Sequence, residues 1–129
     1  MEKILVDTNL LLAQFEYRLD IISELRRIIL GPVELLISSG TMGELASLAG
    51  RQGRRAVAAR FALQSLPHLK KAFDVKVVPS SGDVDGWIIK HARENKVCVA
   101  TNDVPLRRRL AASKVRTIAL KGKSKLEFV

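Results

Sequence analysis

Four carboxylates in this 129-residue chain each follow a predicted strand. Asp7 directly follows an apolar strand over residues 3–6, and Glu44 lies in the first turn of the helix after the second strand. Asp85 lies in the first turn of the helix after the third strand, and Asp103 comes three residues after the fourth. Because sites in open parallel sheets form beyond the carboxyl ends of the strands, we expect these four acids to meet at one edge.

Carboxylates that converge repel one another. The repulsion is relieved either by protonation, with raised pKa values, or by a cation. Mg²⁺ and Mn²⁺ prefer oxygen ligands and keep several waters, so they need no histidine or cysteine. Such a metal lowers the pKa of a bound water and stabilises the charge that develops on a phosphate. The pattern therefore predicts a Mg²⁺ or Mn²⁺ site suited to hydrolysis of phosphodiester bonds.

Most of these acids also fit a structural role at the start of a helix. Thr41 and Glu44 have the spacing of a capping box, in which Glu44 would bond back to the Thr41 amide. Asp83 and Asp103 each precede a predicted helix and fit the N-cap position. Asp7 differs, because a carboxylate at the end of an apolar strand is costly to bury without a partner. The joint placement of the acids favours a functional site.

The elements that must position these acids alternate along the chain, with continuous apolar runs predicting strands and helical spacing predicting helices. The predicted strands cover residues 3–6, 33–37, 75–78, 97–100 and 116–120, the last at a sheet edge. The predicted helices cover residues 20–30, 41 to about 50, 54–66 (ended by Pro67), 84–95 and 105–112. Strands that are apolar on both faces indicate an α/β fold, a three-layer α/β/α sandwich around a mainly parallel sheet of four to five strands.

The composition fits one globular domain over residues 1–129. With 47% hydrophobic and 27% charged residues, it excludes disorder and low complexity. The longest stretch without a charged side chain is nine residues, far below the roughly 18 to 20 that a membrane span requires. The single cysteine, Cys98, excludes an internal disulfide and a cysteine zinc site. No secretory signal pattern is present, so we expect a cytoplasmic protein without membrane contact.

The charge balance points to a polyanionic partner. There are 22 Lys and Arg residues against 13 Asp and Glu, a net charge of +9. Basic side chains that neutralise phosphates release condensed counterions, so nucleic acid is the leading candidate. The alternative is a solvated basic surface without a partner.

Basic residues concentrate in two parts of the chain. We assign binding of nucleic-acid phosphates to the C-terminal part, at Arg107, Arg108, Arg109, Lys121, Lys123 and Lys125. Arg107 follows Asp103 by four residues, so it is either the ion-pair partner of that acid or a phosphate clamp beside the metal. A second set of six basic residues between positions 45 and 73 could form the opposite wall of a groove.

The segments around these acids resemble the PIN-domain nucleases. The similar segments are Val6-Asp7-Thr8-Asn9, Glu44-Leu45, Asp85 with Ile88, and Val99-Ala100-Thr101-Asn102-Asp103. The resemblance implies that Asp7, Glu44, Asp85 and Asp103 form the metal-binding tetrad of a Mg²⁺- or Mn²⁺-dependent endoribonuclease. It also implies that Asn9, Thr101 and Asn102 surround the tetrad and orient the carboxylates and metal-bound waters.

The third position of the tetrad departs from the family pattern. Similar nucleases often carry paired aspartates where this chain has Asp85-Gly86, with a further acid at Asp83. The third ligand is therefore either Asp83 or Asp85. We prefer Asp85, because Ile88, Ile89 and Ala92 follow it at the spacing of a buried helix face.

Different branches of the family imply different partners. The basic ending after residue 101 resembles the branch that processes small-subunit ribosomal RNA in eukaryotes and archaea, which implies a ribosome-assembly factor as a partner. The toxin ribonucleases of toxin–antitoxin pairs, which are VapC-like, share the acids and imply a small antitoxin. Relatives commonly form homodimers. A third hypothesis is a non-catalytic RNA-binding or assembly module, in which the acids serve as helix caps and balance charge.

Overall fold

The structure, a computed structural model, describes all residues from Met1 to Val129. Its strands are β1 (Glu2–Val6), β2 (Val33–Ser38), β3 (Asp74–Val78), β4 (Cys98–Thr101), β5 (Thr117–Lys121) and β6 (Lys125–Phe128). Its helices are α1 (Thr8–Glu16), α2 (Ile21–Ile28), α3 (Ser39–Ala49), α4 (Arg54–Ala72), α5 (Val84–Asn95) and α6 (Val104–Ala112). The predicted α/β class is confirmed.

All six strands form one sheet in the order β3-β2-β1-β4-β5-β6. The five strands β1 to β5 are parallel, and β6 runs antiparallel to β5. β1 lies between β2 and β4, with Leu5 beside Leu36 on one side and Val6 beside Ala100 on the other. The carboxyl ends of the parallel strands therefore meet at one edge of the sheet, here called the carboxyl edge.

Helices cover both faces of the sheet, as the three-layer prediction required. Ile4 and Val6 of β1 pack into a core shared with residues of α1 to α4. Leu5, which points to the other face, packs into a second core with residues of α5 and α6. All three side chains are at most 1% exposed, so the strand is buried on both faces. No helix combines the length and hydrophobicity that a membrane span needs.

Two elements were not predicted from the sequence. Helix α1 follows β1 without a loop, because Asp7 is both the residue after the strand and the N-cap of the helix. Strand β6 is only four residues long and buries only Leu126, so it lacks a continuous apolar run. The sheet consequently has six strands rather than four to five. β5 is an interior strand and not the edge strand predicted.

The predicted end of a helix at Pro67 was wrong, because α4 continues through this residue to Ala72. Proline removes one helical hydrogen bond and usually kinks or ends a helix. Here the turn after Pro67 buries Leu69, and the amide of Phe73 donates to the Leu69 carbonyl at 2.8 Å. Packing of this last turn against the core holds the helix together beyond the proline.

Candidate active site

A surface cavity of about 590 Å³ opens at the carboxyl edge of the sheet, and we call it the acid cavity. Its lining includes the four acids predicted from the sequence, namely Asp7, Glu44, Asp85 and Asp103. Asp83 does not line it; this carboxylate caps α5 by accepting from the Gly86 amide at 2.8 Å. The structure therefore places Asp85, and not Asp83, with the other three acids.

Two of the acids are also helix N-caps. Asp7 Oδ1 accepts from the Leu10 amide at 2.7 Å and starts α1. Asp103 Oδ1 accepts from the Leu106 amide at 3.0 Å and starts α6. Capping uses only Oδ1 of each carboxylate, so Oδ2 remains for a role in the site. The caps also explain why the side chains have fixed directions, since each is tied to a helix end.

Thr101, the last residue of β4, links these two acids. Its hydroxyl donates to Asp7 Oδ2, and its Oγ1 accepts from the Asp103 amide at 2.9 Å. Thr101 is fully buried and Asp7 is 3% exposed. Thr101 therefore contacts both Asp7 and Asp103, and the supporting role that the family resemblance implies for it stays a prediction.

The surroundings of the acid cavity raise the pKa of two of its acids, Asp7 and Asp85. Burial raises the pKa of Asp7 to about 7, against the hydrogen bonds from Thr101 and Leu10, which lower it. The charges of Asp103 and Asp85 raise it further. The pKa of Asp85 is also raised, first by burial and then by the charge of Asp103. Burial is the larger cause of both shifts, and the repulsion expected of converging carboxylates adds to it.

Glu44 accepts a hydrogen bond from α1 and does not form the capping box that was the alternative interpretation of its spacing. The Thr8 hydroxyl donates to Glu44 Oε1 at 2.5 Å and lies 3.2 Å from the hydroxyl of Thr41. The N-cap of α3 is Ser38, whose Oγ accepts from the Thr41 amide at 3.0 Å. Because the Thr41 amide already donates to Ser38 Oγ, it is not free to bond to Glu44. Sequence reasoning missed Thr8, although its position next to Asp7 was the available signal.

The two predicted asparagines have different surroundings. Asn9 donates from Nδ2 to Asp103 Oδ2 at 3.3 Å, and its Oδ1 accepts from Arg55 Nη2 at 3.4 Å. Asn9 therefore connects an acid to a basic side chain. Asn102 lies in the loop between Thr101 and Asp103, and its Oδ1 is buried without a hydrogen-bond partner.

Basic side chains approach the acid cavity from two sides. Arg51 and Arg55, two of the six basic residues between positions 45 and 73, line it. From α6, the charge of Arg109 lowers the pKa of Asp85 and so acts on the acids directly. Neither side pairs with an acid in a salt bridge.

The other predicted RNA-binding residues lie further from the acids. Arg107 makes no ion pair with Asp103, and with Arg108 it lines a separate surface cavity near Val129. Arg107 is therefore not the ion-pair partner of Asp103 and does not line the acid cavity, while its binding of RNA phosphates stays a prediction. The three lysines belong to the β5–β6 hairpin, which extends past the carboxyl end of β4; they are Lys121, Lys123 and Lys125.

The donor set fits a hard cation, because the cavity is lined by four carboxylates and by no histidine or cysteine. No three acidic, histidine or cysteine side chains lie close enough to enclose one ion. In proteins, Mg²⁺ is usually bound through one or two carboxylates and retains several waters.

Comparison with known proteins defines the class. A family model described as a PIN like domain matches residues 4–123, nearly the whole chain. The chain belongs to the PIN-domain nuclease family. The resemblance carried by the four acidic segments is thereby confirmed at the level of the family.

Two similar sequences are named ribonucleases. Ribonuclease VapC9 of Archaeoglobus fulgidus is 34% identical over 105 residues, which cover 81% of this chain and 72% of that protein. Ribonuclease VapC4 of Methanocaldococcus jannaschii is 28% identical over 132 aligned positions, which cover 99% of this chain and 97% of that protein.

Solved structures share the fold at lower identity. The PIN domain endonuclease Utp24 has a TM-score of 0.74 and 22% identity, covering 98% of this chain and 90% of that one. A domain of a functionally unknown protein from Methanocaldococcus jannaschii has a TM-score of 0.73 and 20% identity, covering 95% and 93%. The VapBC-1 structure from nontypeable Haemophilus influenzae has a TM-score of 0.57 and 20% identity, covering 85% and 93%.

Proposed function

We propose that this protein is an endoribonuclease that hydrolyses RNA phosphodiester bonds in the acid cavity with Mg²⁺ or Mn²⁺. The observation that carries the proposal is the placement of Asp7, a carboxylate 3% exposed at the end of the central strand with two further acids raising its pKa. A cation bound beside such a buried carboxyl group would lower its pKa and favour its ionised form. The two named ribonucleases of similar sequence support RNA as the substrate.

The four acids would hold the ion, either directly or through its waters. With Mg²⁺ or Mn²⁺ bound, the site would gain a water of lowered pKa and a positive charge facing the phosphate. Thr101 would keep Asp7 in one orientation through its hydrogen bond, and Asn9 would do the same for Asp103. Such supporting hydrogen bonds fix the ligand geometry in metal sites.

The substrate strand would lie between the two basic sides of the acid cavity. Arg51 and Arg55 would contact phosphates on the α4 side, and Arg109 on the α6 side. Phosphate contacts of this kind position a nucleic acid without reading its sequence. The β5–β6 hairpin, with Lys121, Lys123 and Lys125, would extend the contact along the carboxyl edge.

Two biological roles are open to such an enzyme, and a different observation supports each. The basic hairpin favours ribosomal RNA processing, with a ribosome-assembly factor as partner. The 34% identity to ribonuclease VapC9 favours a toxin ribonuclease with an antitoxin partner. Two experiments separate them. Expression of a toxin in a host cell arrests growth, and Asp7→Asn relieves the arrest. Deletion of the gene for a processing enzyme from its own organism causes precursor ribosomal RNA to accumulate. The mass of the purified protein in solution tests the expected homodimer.

The first experiment is cleavage of a panel of single-stranded and structured RNAs with Mn²⁺, Mg²⁺ or EDTA. We expect wild-type protein to cleave only with metal, Asp7→Asn to be inactive, and the exposed control Glu94→Gln to remain active. Cleavage by Asp7→Asn, or cleavage in EDTA, would overturn the proposal. RNA binding that EDTA leaves unchanged, without cleavage under any metal, would favour the non-catalytic binding module.

A further inference from the structure

A second cavity, of about 370 Å³, lies at the opposite edge of the sheet, where the parallel strands begin. We call it the amino-edge cavity. The buried side chains of Ala92, Val97 and Cys98 form part of its lining. Five cationic side chains surround this apolar part; they are Lys3, Arg93, Lys96, Lys114 and Arg116. No aromatic residue lines the cavity.

Most of this positive charge has no partner. Glu2 is the only acid in the lining, and Arg116 Nη1 donates to its Oε1 at 2.5 Å. The other four cations take part in no ion pair. The C-terminal ends of α5 and α6 lie at this edge, but each adds only about −0.5 charge. The amino-edge cavity therefore stays strongly positive.

Two of the lysines occupy an unusual backbone conformation. Lys96 has φ 53° directly after α5, and Lys114 has φ 57° shortly after α6. Glycine or asparagine commonly fills such positions, because other side chains strain the left-handed backbone. Lysine at both turns places a cation on each side of the cavity despite that strain. A strained residue held by its surroundings is a reason to look for a function there.

We propose that the amino-edge cavity is a second RNA-binding site, which holds backbone phosphates of a long RNA whose cleaved segment lies in the acid cavity. The inference rests on the proposed ribonuclease function, which supplies RNA as the partner. Lys3 lies in β1 and Asp7 directly follows this strand, so the two residues are about 13 Å apart at opposite edges of the sheet. A continuous RNA would need to pass around the domain to occupy both edges. A short oligonucleotide fills only the acid cavity.

Phosphates suit this cavity better than an acidic protein segment does. Protein interfaces bury aromatic and other large apolar side chains at their centre. The lining of this cavity contains no aromatic residue. Phosphate groups need only cationic donors such as lysine and arginine. An acidic protein segment is the competing occupant and enters the test as polyglutamate.

The test uses charge-removing variants and binding measured by fluorescence anisotropy in EDTA, so that binding is separated from cleavage. Arg93→Gln/Lys96→Asn removes two cations from the cavity, and asparagine tolerates the backbone of residue 96. Arg26→Gln/Lys90→Gln removes two exposed cations, one from α2 and one from α5, that form no ion pair and line neither cavity, and is the matched control. Lys3→Gln probes the cavity from β1 as a separate variant.

We expect the cavity variant to weaken binding of a long structured RNA and to reduce the slope of log affinity against log salt by about two, with a loss of about one for Lys3→Gln. Binding of a short oligonucleotide should not change. Equal effects in the matched control, or unchanged affinity for long RNA, would overturn the second site. Polyglutamate binding that the variant abolishes while RNA affinity stays constant would also overturn it.

The second site and the proposed function fail in different ways. If wild-type protein binds long RNA through the amino-edge cavity but cleaves nothing with any metal, the ribonuclease proposal fails and the binding site stands. If cleavage depends on metal and on Asp7 while both double variants bind RNA alike, only the second site fails. If wild-type protein binds no RNA, both fail.

Discussion

The hydroxyl of Thr101 donates to Oδ2 of Asp7, although the two residues lie 94 positions apart in the chain. They meet because β1 and β4 are neighbours in the sheet and both end at the carboxyl edge. The same Oγ1 accepts from the amide of Asp103. One buried hydroxyl therefore orients one acid of the cavity and fixes the backbone that leads to another.

Removing this hydroxyl with Thr101→Val should impair cleavage. The hydrogen bond lowers the pKa of Asp7, so its loss raises that pKa and makes the ionised form scarcer at neutral pH. We expect activity to fall by about 10- to 100-fold, the usual cost of losing a supporting hydrogen bond at a metal site, and the pH profile to move to higher pH. Thr101→Ser retains the hydroxyl and should restore both; equal defects in the two variants would contradict the assignment.

Asp7→Asn should change how the stability of the metal-free protein depends on pH. Burial raises the pKa of Asp7 from 3.8 to about 7, so the folded state binds this proton more tightly than the unfolded state does. The free energy of unfolding therefore falls as pH rises between about 4 and 7. Asparagine cannot ionise, so in EDTA at about pH 8 the variant should be more stable, by at most about 4 kcal/mol.

Urea denaturation at about pH 5 and pH 8 measures this effect, and Asp20→Asn is a control of opposite sign. Hydrogen bonds from Ser23 lower the pKa of Asp20, so its charge stabilises the folded state at neutral pH and that contribution fades as pH falls through the folded pKa. The control should be slightly less stable than wild type at pH 8. An Asp7→Asn protein destabilised equally at both pH values would show that burial of the charge is not what sets the dependence.

Arg109→Gln should affect cleavage through the acids, and Arg108→Gln should not. The charge of Arg109 lowers the pKa of Asp85, whereas Arg108 lies in a separate surface cavity. Loss of Arg109 therefore raises the pKa of Asp85, and the activity on the acidic side of the pH profile should fall by about tenfold per pKa unit. The two variants lose the same charge, so identical profiles would show that only general RNA attraction is involved.

Two glycines of α3 should respond in opposite directions to alanine. A Cβ at Gly40 would lie 2.9 Å from Val84 Cγ2 and 3.1 Å from Ser80 Oγ, whereas one at Gly43 would meet nothing within 4 Å. Gly40→Ala should lower the free energy of unfolding by about 1–3 kcal/mol through overpacking. Gly43→Ala should raise it by about 0.5–1 kcal/mol, because glycine is unfavourable inside a helix. Denaturant titration measures the free energy of unfolding of both variants. If alanine changed it in the same direction at both positions, the packing argument would be refuted.

The carboxyl edge could be predicted because the relevant signals are local. Asp7 and Asp103 each follow an apolar strand, and parallel strands bring their carboxyl ends together whatever their order in the sheet. The signals failed where tertiary packing decided the outcome. Leu69 and the core hold α4 together past Pro67, and the pairing of β6 with β5 compensates for its weak apolar pattern.

Side-chain partners across the fold could not be predicted in the same way. Spacing showed that Arg107 and Arg109 lie on one helix, but only the packed structure shows which of them acts on Asp85. The contact between Thr8 and Glu44 joins residues 36 positions apart, and no local pattern connects them. Thr101 was nevertheless predicted as a site residue, because the segments that resemble the family include it.

The central position of β1 also affects the order in which the protein is assembled during translation. β1 is synthesised first and can pair with β2 early, but its other neighbour, β4, begins only at Cys98. Until then the Asp7 carboxylate remains open to water and ionised at cellular pH, as in an unfolded peptide. A nascent chain therefore cannot complete the acid cavity before most of its length has left the ribosome.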